Sequence, residues 1–415
     1  MIKSYKVKLL PNDKQEKRLF QFAGAARFAY NWALNKQMKA FENGEKFISN
    51  NELRKEFTIL RNSEGYEWLQ SISNNVSKQA IKDCCDAYGN FFEKQKRTKI
   101  NFTKKKLAHL ERIGKSPTVY DMNGHPKFKS RHKGNCKFYQ DTDKIKITST
   151  HVKLEKITTS KRKCRQKLNW IKLAEADRIP VGMSYKQPRI SFDGLNWWLS
   201  VSVEFEKTDT EGNLNDTIGI DLGVKDLAVL SDGTVYPNIN KTPTVRKIKK
   251  KIRRLQRRIS RKYEMNKEEG GTLKKTRSII KSEKQLLKLH HRLKNIRHNY
   301  IHQITRVIIN RNPKLVVLED LNIQGMMSNK HLAKAVQEQC LYEFCRQIKY
   351  KSEWSKIKVI IADRYYPSSK TCVKCGFIKK DLKLKERVYH CPQCDNVIDR
   401  DLQAAMNLKR YGESQ

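Results

Sequence analysis

The hydrophobic pattern changes its period repeatedly along the chain. It opens on an alternating strand in "SYKVKLL", after which Pro11, Asn12 and Asp13 supply a helix start. Leu19, Phe22, Ala26, Tyr30, Ala33, Leu34, Met38 and Phe41 then keep a helical period, which predicts a helix over residues 14–41. Helical texture continues to about residue 110. From about 115 to 206 short strands and turns replace it, as in "IKITSTHVKLEKI" and "PRISFDGLNWWLSVSVEFE". In the latter, Asp193-Gly194 between two β-rich runs predicts a hairpin. The polar stretch "EKTDTEGNLND" (206–216) reads as a linker and marks the main boundary.

The second half starts with "TIGIDLGVKDLAVLSDGTVY", two strands and a return turned by Asp232-Gly233, hence an antiparallel meander. Two helical stripes follow: Ile248, Ile252, Leu255, Ile259, then Leu289, Leu293, Ile296, Tyr300, Ile304, Val307. "EEGG" (268–271) between them predicts the turn of a long helical hairpin over 241–312. "KLVVLE" is a continuous apolar run, the mark of a strand buried on both faces. Helical sequence at 329–352, the strand-like "KVIIADRYYPSS", a cysteine module and a closing helix at 400–410 complete the chain. Strands first, then strands alternating with helices, suit an RNase H-like α/β domain with insertions. The whole is expected to be a multidomain α+β and α/β protein.

Composition narrows the partner. The 415 residues allow two or three domains, and 87 Lys/Arg against 43 Asp/Glu leave a net charge of +44. In a folded chain that is 38% hydrophobic, this excess points to a polyanion. A membrane is the weaker candidate: no apolar run approaches ~18 residues, and "MIKSYKVKLL" has no signal-peptide core, so a cytoplasmic protein is expected. The charge is uneven, with 24 Lys/Arg and 4 acids between Lys241 and Asn312. In "RKIKKKIRRLQRRISRK", Lys249, Lys250, Arg253, Arg254, Arg257, Arg258 and Arg261 surround the apolar stripe. A solvated coiled coil would mix its signs. Phosphate contact is the better reading.

Three carboxylates stand out. Ile218, Ile220 and Leu222 share one strand face, leaving Asp221 between Gly219 and Gly223 on the other, a face cleared of side chains. That clearance is expected to admit metal ions and a nucleic-acid backbone; a turn role for this acid is less apt, because Asp232 serves the turn. Glu319 ends the buried strand, where open α/β sheets place their ligands, while Asp320 points the other way. On a helix over 400–410, Asp401, Ala404, Ala405 and Leu408 share the packed face, and Asp399 falls at the capping position. Asp401 is therefore assigned to chemistry and Asp399 to capping. Three acids in so basic a chain suggest a two-metal phosphodiesterase with two Mg²⁺ ions, since Mg²⁺ favours carboxylate and water ligands and no histidine cluster accompanies them.

Cys372-x-x-Cys375 and Cys391-x-x-Cys394, 15 residues apart, are spaced for a tetrahedral Zn²⁺. Four thiolates fill the ion's coordination, so the site is structural, a ribbon inserted before Asp401. A zinc deaminase would need an upstream H-x-E and an open ligand position, and the sequence offers neither. Tyr30, Trp32, Trp197 and Trp198 could stack on bases but suit core packing better.

"IGIDLGVKDLAVLSDG", "VVLEDL", "YYPSSKTCVKCG" and "CPQC…DRDLQAAMNL", in this order, resemble the TnpB proteins of insertion sequences and the miniature type V-F CRISPR effectors. "YKVKLLPNDKQ…ARFAYNWAL" and "HPKFKSR" extend the resemblance over nearly the whole chain. It implies a RuvC-like nuclease domain over 217–366 with a zinc ribbon at 367–397 and a closing helix at 398–415. It also implies an N-terminal wedge β-barrel in two parts, 1–28 and 116–210, around a helical recognition region at 29–115. Asp221, Glu319 and Asp401 match the three RuvC acids, and Gln403 stands where the family usually has Asn. Lys127, Lys129 and Arg131 join the expected nucleic-acid contacts.

The function so implied is an RNA-guided DNA endonuclease: a bound guide RNA pairs with target double-stranded DNA beside a short motif that the protein reads. One copy, or a homodimer around one RNA, both fit. The chain runs 14 residues past Asp401, which leans toward a compact CRISPR effector over a transposon TnpB. The alternatives are a guided repressor that does not cut, which three acids argue against, and an unguided RuvC-type nuclease or resolvase, for which the N-terminal half is superfluous.

Overall fold

The computed structural model describes residues 1–97, 102–131, 136–158, 160, 162–205, 216–266, 275–383 and 386–415. The expected turn at 268–271 and all of the 206–216 linker but Asp216 lie outside the described residues. The chain divides into two compact units, Met1–Glu206 and Lys207–Gln415.

The first unit runs β1 (Ile2–Leu10), α1 (Asp13–Glu42), α2 (Asn50–Asn62), α3 (Asn74–Arg97), α4 (Lys104–Arg112), β2 (Cys136–Tyr139), β3 (Lys146–Ile147), β4 (His151–Lys153), α5 (Lys163–Gln166), β5 (Trp170–Leu173), β6 (Tyr185–Phe192) and β7 (Trp197–Glu204). Asn12 opens α1 with a capping box: its side chain accepts from Gln15 N, and the Gln15 side chain accepts from the Asn12 backbone. Leu19, Phe22, Ala26, Tyr30, Ala33 and Leu34 bury the predicted stripe, but Phe41 is 59% exposed. In the last turns Gln37 and Ala40 turn inward instead, because the Gln37 amide pairs with both backbone groups of Ile48 as the following loop folds back.

The strands form one antiparallel sheet in the order β2-β6-β7-β1-β5-β4-β3. Its centre joins the beginning and end of the unit, from Ile2 opposite Glu204 to Leu9 opposite Trp197. Among the described residues no ladder joins the edges β2 and β3; residues 140–145 carry the chain from one to the other. Helices and sheet share a core that includes Val7, Phe22, Tyr30, Ile81, Phe138 and Trp197. α1 runs unbroken through residues 28 and 29, so the expected start of the helical region falls inside a helix.

The second unit runs β8 (Thr217–Leu222), β9 (Asp226–Leu230), β10 (Val235–Pro237), α6 (Pro243–Met265), α7 (Arg277–Asn310), β11 (Leu315–Glu319), α8 (Ile323–Ser328), α9 (Ala333–Gln339), α10 (Leu341–Trp354), β12 (Lys358–Ala362), β13 (Val388–His390), β14 (Val397–Asp399) and α11 (Arg400–Glu413). The main sheet has the order β10-β9-β8-β11-β12. β8, β9 and β10 are antiparallel, whereas β11 lies parallel to both β8 and β12.

The two faces of this sheet carry different helices. Ile218, Ile220, Leu222, Val316 and Leu318 pack with Ile301, Ile304 and Ile308 of α7 and Phe344 and Ile348 of α10. Leu315 and Val317 pack with Leu408 of α11. The α7 stripe differs from the predicted one at its end: Val307 is 49% exposed, and Ile301, Ile308 and Ile309 are buried. α7 changes partner along its length, from α6 through Leu289, Leu293 and Ile296 to the sheet, and its buried face rotates accordingly. The helix expected at 329–352 is broken at Cys340, whose φ of 56° separates α9 from α10.

Gly219 carries a correction. Its empty side does not open onto a ligand. A Cβ there would fall on the Ala405 carbonyl oxygen and 2.5 Å from Lys409 N, so the glycine lets α11 lie directly on β8. Both obstacles are helix backbone, which cannot rotate aside. Gly219→Ala is therefore expected to cost about 1–3 kcal/mol. Thermal unfolding should show a lowered Tm; an unchanged Tm would mean that α11 can lift away freely.

A carboxylate cluster and a four-cysteine ribbon

Side-chain alternation determines which acids meet. On β8, Ile218, Ile220 and Leu222 face α7 and α10, which leaves Asp221 on the α11 side. On β11, Val316 and Leu318 face the same helices, leaving Glu319 beside Leu315 and Val317 on the α11 side. The parallel register pairs Leu318 with Ile220, and Glu319 and Asp221 each follow by one residue. Asp401 comes from the first turn of α11 itself.

Electrostatics register the proximity. Burial pushes the Asp221 carboxyl up to about 8, and the charges of Glu319 and Asp401 push in the same direction, against the pull of Arg400. Burial also raises Glu319, with Asp320 adding to the shift and Arg400 opposing it. The carboxyls of Asp221, Glu319 and Asp401 thus lie near enough to act on one another, with Arg400 the cation that opposes both shifts.

The adjacent aspartates divide their work. Asp399 Oδ1 accepts from Asp401 N at 2.9 Å and Leu402 N at 3.0 Å, capping α11. Asp401 is free of that duty and meets Arg387 at 3.6 Å. Asp320 pairs outward with Arg364 at 2.7 Å.

The four cysteines converge, with ligand atoms all within 4.8 Å of one another. Cys372 and Cys394 sulfurs are 3.7 Å apart, and Cys375 and Cys391 sulfurs 3.5 Å. A disulfide requires about 2.05 Å. Zn–S bonds of about 2.3 Å in a tetrahedron place sulfurs about 3.8 Å apart, so the set fits Zn²⁺. Each pair closes a similar knuckle: Gly376 N donates to Cys372 O at 3.0 Å, and Asp395 N to Cys391 O at 3.1 Å. Gly376 and Asp395 both take positive φ, 79° and 51°. Tyr389, fully buried, packs against Cys372 and Cys391.

Gln403, noted in the sequence, and three residues that the sequence reading passed over tie this ribbon to α11. Asn407 Nδ2 donates to Ser368 O at 2.7 Å and Thr371 O at 2.6 Å, and Arg410 donates to Val373 O. Gln403, fully buried, accepts from Val373 N and donates to Ser369 O, both at 3.4 Å. Arg400 donates to Lys383 O and Glu386 O, each at 3.3 Å. The only signal in the sequence was the placing of polar residues on an otherwise small, apolar helix face.

The expected nucleic-acid contacts separate. Lys250, Arg253, Arg254, Arg257, Arg258 and Arg261 are exposed along α6, as are Lys127 and Arg131 in the first unit. Lys249 instead pairs with Glu338 at 2.6 Å. Trp197 is buried and Trp32 packs on Phe57, while Trp198 donates to Asp193 at 2.7 Å.

Lys129 turns its ammonium onto the Tyr30 ring, 3.2 Å from the centroid, near the Asp83–Arg189 pair. Burial pushes it down to about 8. A lysine whose folded value lies below its unfolded ~10.4 destabilises the fold while charged, and the penalty disappears as pH rises through that interval. Lys129→Met should therefore stabilise the protein at pH 7 by about 1–2 kcal/mol after solvent screening. In thermal melts the gain should vanish toward pH 10; a gain independent of pH would assign it to packing.

A mixed α/β chain with a carboxylate cluster on one sheet face and a four-cysteine ribbon defines the class. Three family models match within it: "Helix-turn-helix domain" over residues 1–46, "Probable transposase" over 200–330, and "Cas12f1-like, TNB domain" over 342–408. The chain is 26% identical over 428 residues to "Putative RNA-guided DNA endonuclease InsQ" of Escherichia coli (strain K12), covering 100% of this chain and 93% of that one. It is 29% identical over 221 residues to "CRISPR-associated endodeoxyribonuclease Cas12f1" of Sulfoacidibacillus thermotolerans, 51% of this chain and 49% of that one. The fold matches the structure titled "Cryo-EM structure of the Cas12f1-sgRNA-target DNA complex" with a TM-score of 0.54, at 14% identity, covering 99% of this chain and 98% of that chain. The chain is thus similar both to RNA-guided DNA endonucleases of the InsQ kind and to Cas12f1-like proteins.

Proposed function

We propose that this protein is an RNA-guided DNA endonuclease whose RuvC-like site is formed by Asp221, Glu319 and Asp401. The observation that carries the reading is the convergence of these acids from β8, β11 and α11 onto one sheet face in a chain of net charge +44. An antiparallel meander continued by two parallel strands is the RNase H-like arrangement, which supports the same assignment. The three carboxylates would hold two Mg²⁺ ions, which when bound activate water and stabilise the leaving oxygen of a phosphodiester. The chain itself sets the geometry: the parallel β8–β11 register aligns two acids, and the Asp399 cap fixes the turn that presents the third. Cys372, Cys375, Cys391 and Cys394 would hold a structural Zn²⁺.

The partners in this reading are a guide RNA and target double-stranded DNA, base pairing reading the sequence while the protein grips the backbone. The first unit would supply the wedge and the helical recognition region, with Lys127 and Arg131 facing nucleic acid. The match to the "Probable transposase" model over 200–330, with sequence likeness to InsQ along the whole chain against half the chain for Cas12f1, favours the transposon-encoded branch.

The test is to purify the full chain from cells carrying its native locus, sequence the RNA that accompanies it, and add Mg²⁺ with DNA matching the variable end. A discrete RNA and matched cleavage are expected. RNA-independent cutting would shift the reading to an unguided nuclease, and matched binding without cutting to a repressor.

A further inference from the structure

We infer that the groove between α6 and α7 is the seat of the guide RNA's sugar–phosphate backbone, held by Lys251, Arg254, Arg258 and Arg261 from one helix and Lys288 and Arg292 from the other. The inference rests on the guided reading only for the identity of the RNA. Steps of three and four along α6 and a step of four along α7 bring these cations to the groove from both sides. From Lys251 to Arg261 the row covers about 15 Å, the length of several nucleotides. All six are exposed, none makes an ion pair among the described residues, and no carboxylate lines the groove. Leu255 and Leu289 form its floor.

Basicity alone does not choose this surface: Arg253 and Arg257 are exposed on α6 as well, but the groove gathers cations from both helices over an apolar floor, and two further cations of the hairpin are already engaged. Glu338 takes Lys249 at 2.6 Å and Arg297 at 3.5 Å, and Arg297 also donates to Asn240 at 2.8 Å. Those two anchor the hairpin to α9 and the turn before α6. Among the described residues the groove lining has cations and no carboxylate, which suits phosphates.

RNA is the better occupant than DNA for two reasons. A segment carrying 24 Lys/Arg against 4 acids repels itself, and a resident polyanion relieves that repulsion continuously where a transient target does not. Among the cations lies one neutral amide, Gln285, whose oxygen accepts from Arg258 at 3.3 Å. An amide that donates and accepts matches a 2′-hydroxyl, the group that DNA lacks.

The test measures binding of a labelled RNA hairpin, and of the DNA hairpin of the same sequence, to full-length protein across a salt series without Mg²⁺. The triple variant Arg254→Gln, Arg258→Gln, Lys288→Gln should make the RNA slope of log K against log salt shallower by about 2–3. The same charge removed by Lys314→Gln, Lys330→Gln and Lys349→Gln should change it by less than about 1. Gln285→Leu should weaken RNA several-fold and leave DNA unchanged. Equal losses from both triple variants, or a loss confined to DNA, would overturn the inference. Because no cleavage is read, a protein that binds RNA through this groove yet cuts nothing sinks the nuclease reading alone, and guided cutting by a groove variant with normal RNA affinity sinks this one alone.

Discussion

Asp401→Ala is expected to lower guided DNA cleavage by about 10³-fold or more while target binding survives, whereas Asp399→Ala, which only loosens the turn that presents Asp401, is expected to lower cleavage by about tenfold or less and to leave binding unchanged. The two acids lie two residues apart at the start of α11, so their contrast isolates chemistry from architecture. Asp399 spends its carboxylate on the N–H groups of Asp401 and Leu402. Its loss should cost about 1 kcal/mol of helix stability and a correspondingly small fall in Tm. Asp401 caps nothing; its partner is the half-exposed Arg387, a loose contact worth little to stability. Removing it should leave Tm nearly unchanged and remove one of three carboxylates from a cluster whose members act on one another. Single-turnover cleavage beside DNA-binding affinity and a thermal melt separates the cases. If Asp399→Ala abolished cleavage and Asp401→Ala spared it, the assignment of the third acid would be reversed.

The sequence disclosed what periodicity and spacing encode, and little of what close approach decides. Asp221, Glu319 and Asp401 could be chosen because strand alternation and helix phase are local properties, and the sheet brings the chosen faces together. The four cysteines were legible for the same reason, since metal geometry restricts spacing. Gly219 was noticed and misread: a missing side chain looks alike in sequence whether the space receives a ligand or a helix backbone, and only the placement of α11 tells them apart. The ends of long stripes failed similarly. Phe41 and Val307 keep the helical period, but by those turns the helix has left the partner that made the period meaningful. Lys129 was grouped with its basic neighbours, although contact with Tyr30, distant in sequence, turns it inward. The polar anchors on α11 escaped because their partners are backbone carbonyls of a loop, which no side-chain pattern announces.

Those anchors make the zinc site matter to the carboxylates. Replacing a ligand, as in Cys391→Ser, should release the metal and with it a binding free energy of about 10–16 kcal/mol, far more than the small ribbon core of Cys372, Tyr389 and Cys391 can replace. The segment from Ser368 to Val373 would then lose its shape, and with it the acceptors of Gln403, Asn407 and Arg410. Two buried polar groups on α11, Gln403 and Asn407, would be left unpaired, at about 1–3 kcal/mol each, while the exposed Arg410 would turn to water. The helix should shift or fray from its ribbon side, moving Asp401 relative to Asp221 and Glu319. Cleavage is expected to fall by about 10²-fold or more although no carboxylate has been touched. Metal analysis should find one zinc per wild-type chain and none in the variant. Hydrogen exchange should rise across residues 366–399 and in α11, while the β1–β7 sheet, which shares none of these contacts, stays protected. Zinc loss with α11 still protected and cleavage intact would mean that the ribbon only decorates the site, and that packing of Ala404, Ala405, Leu408 and Gly412 on the sheet suffices to hold Asp401 in place.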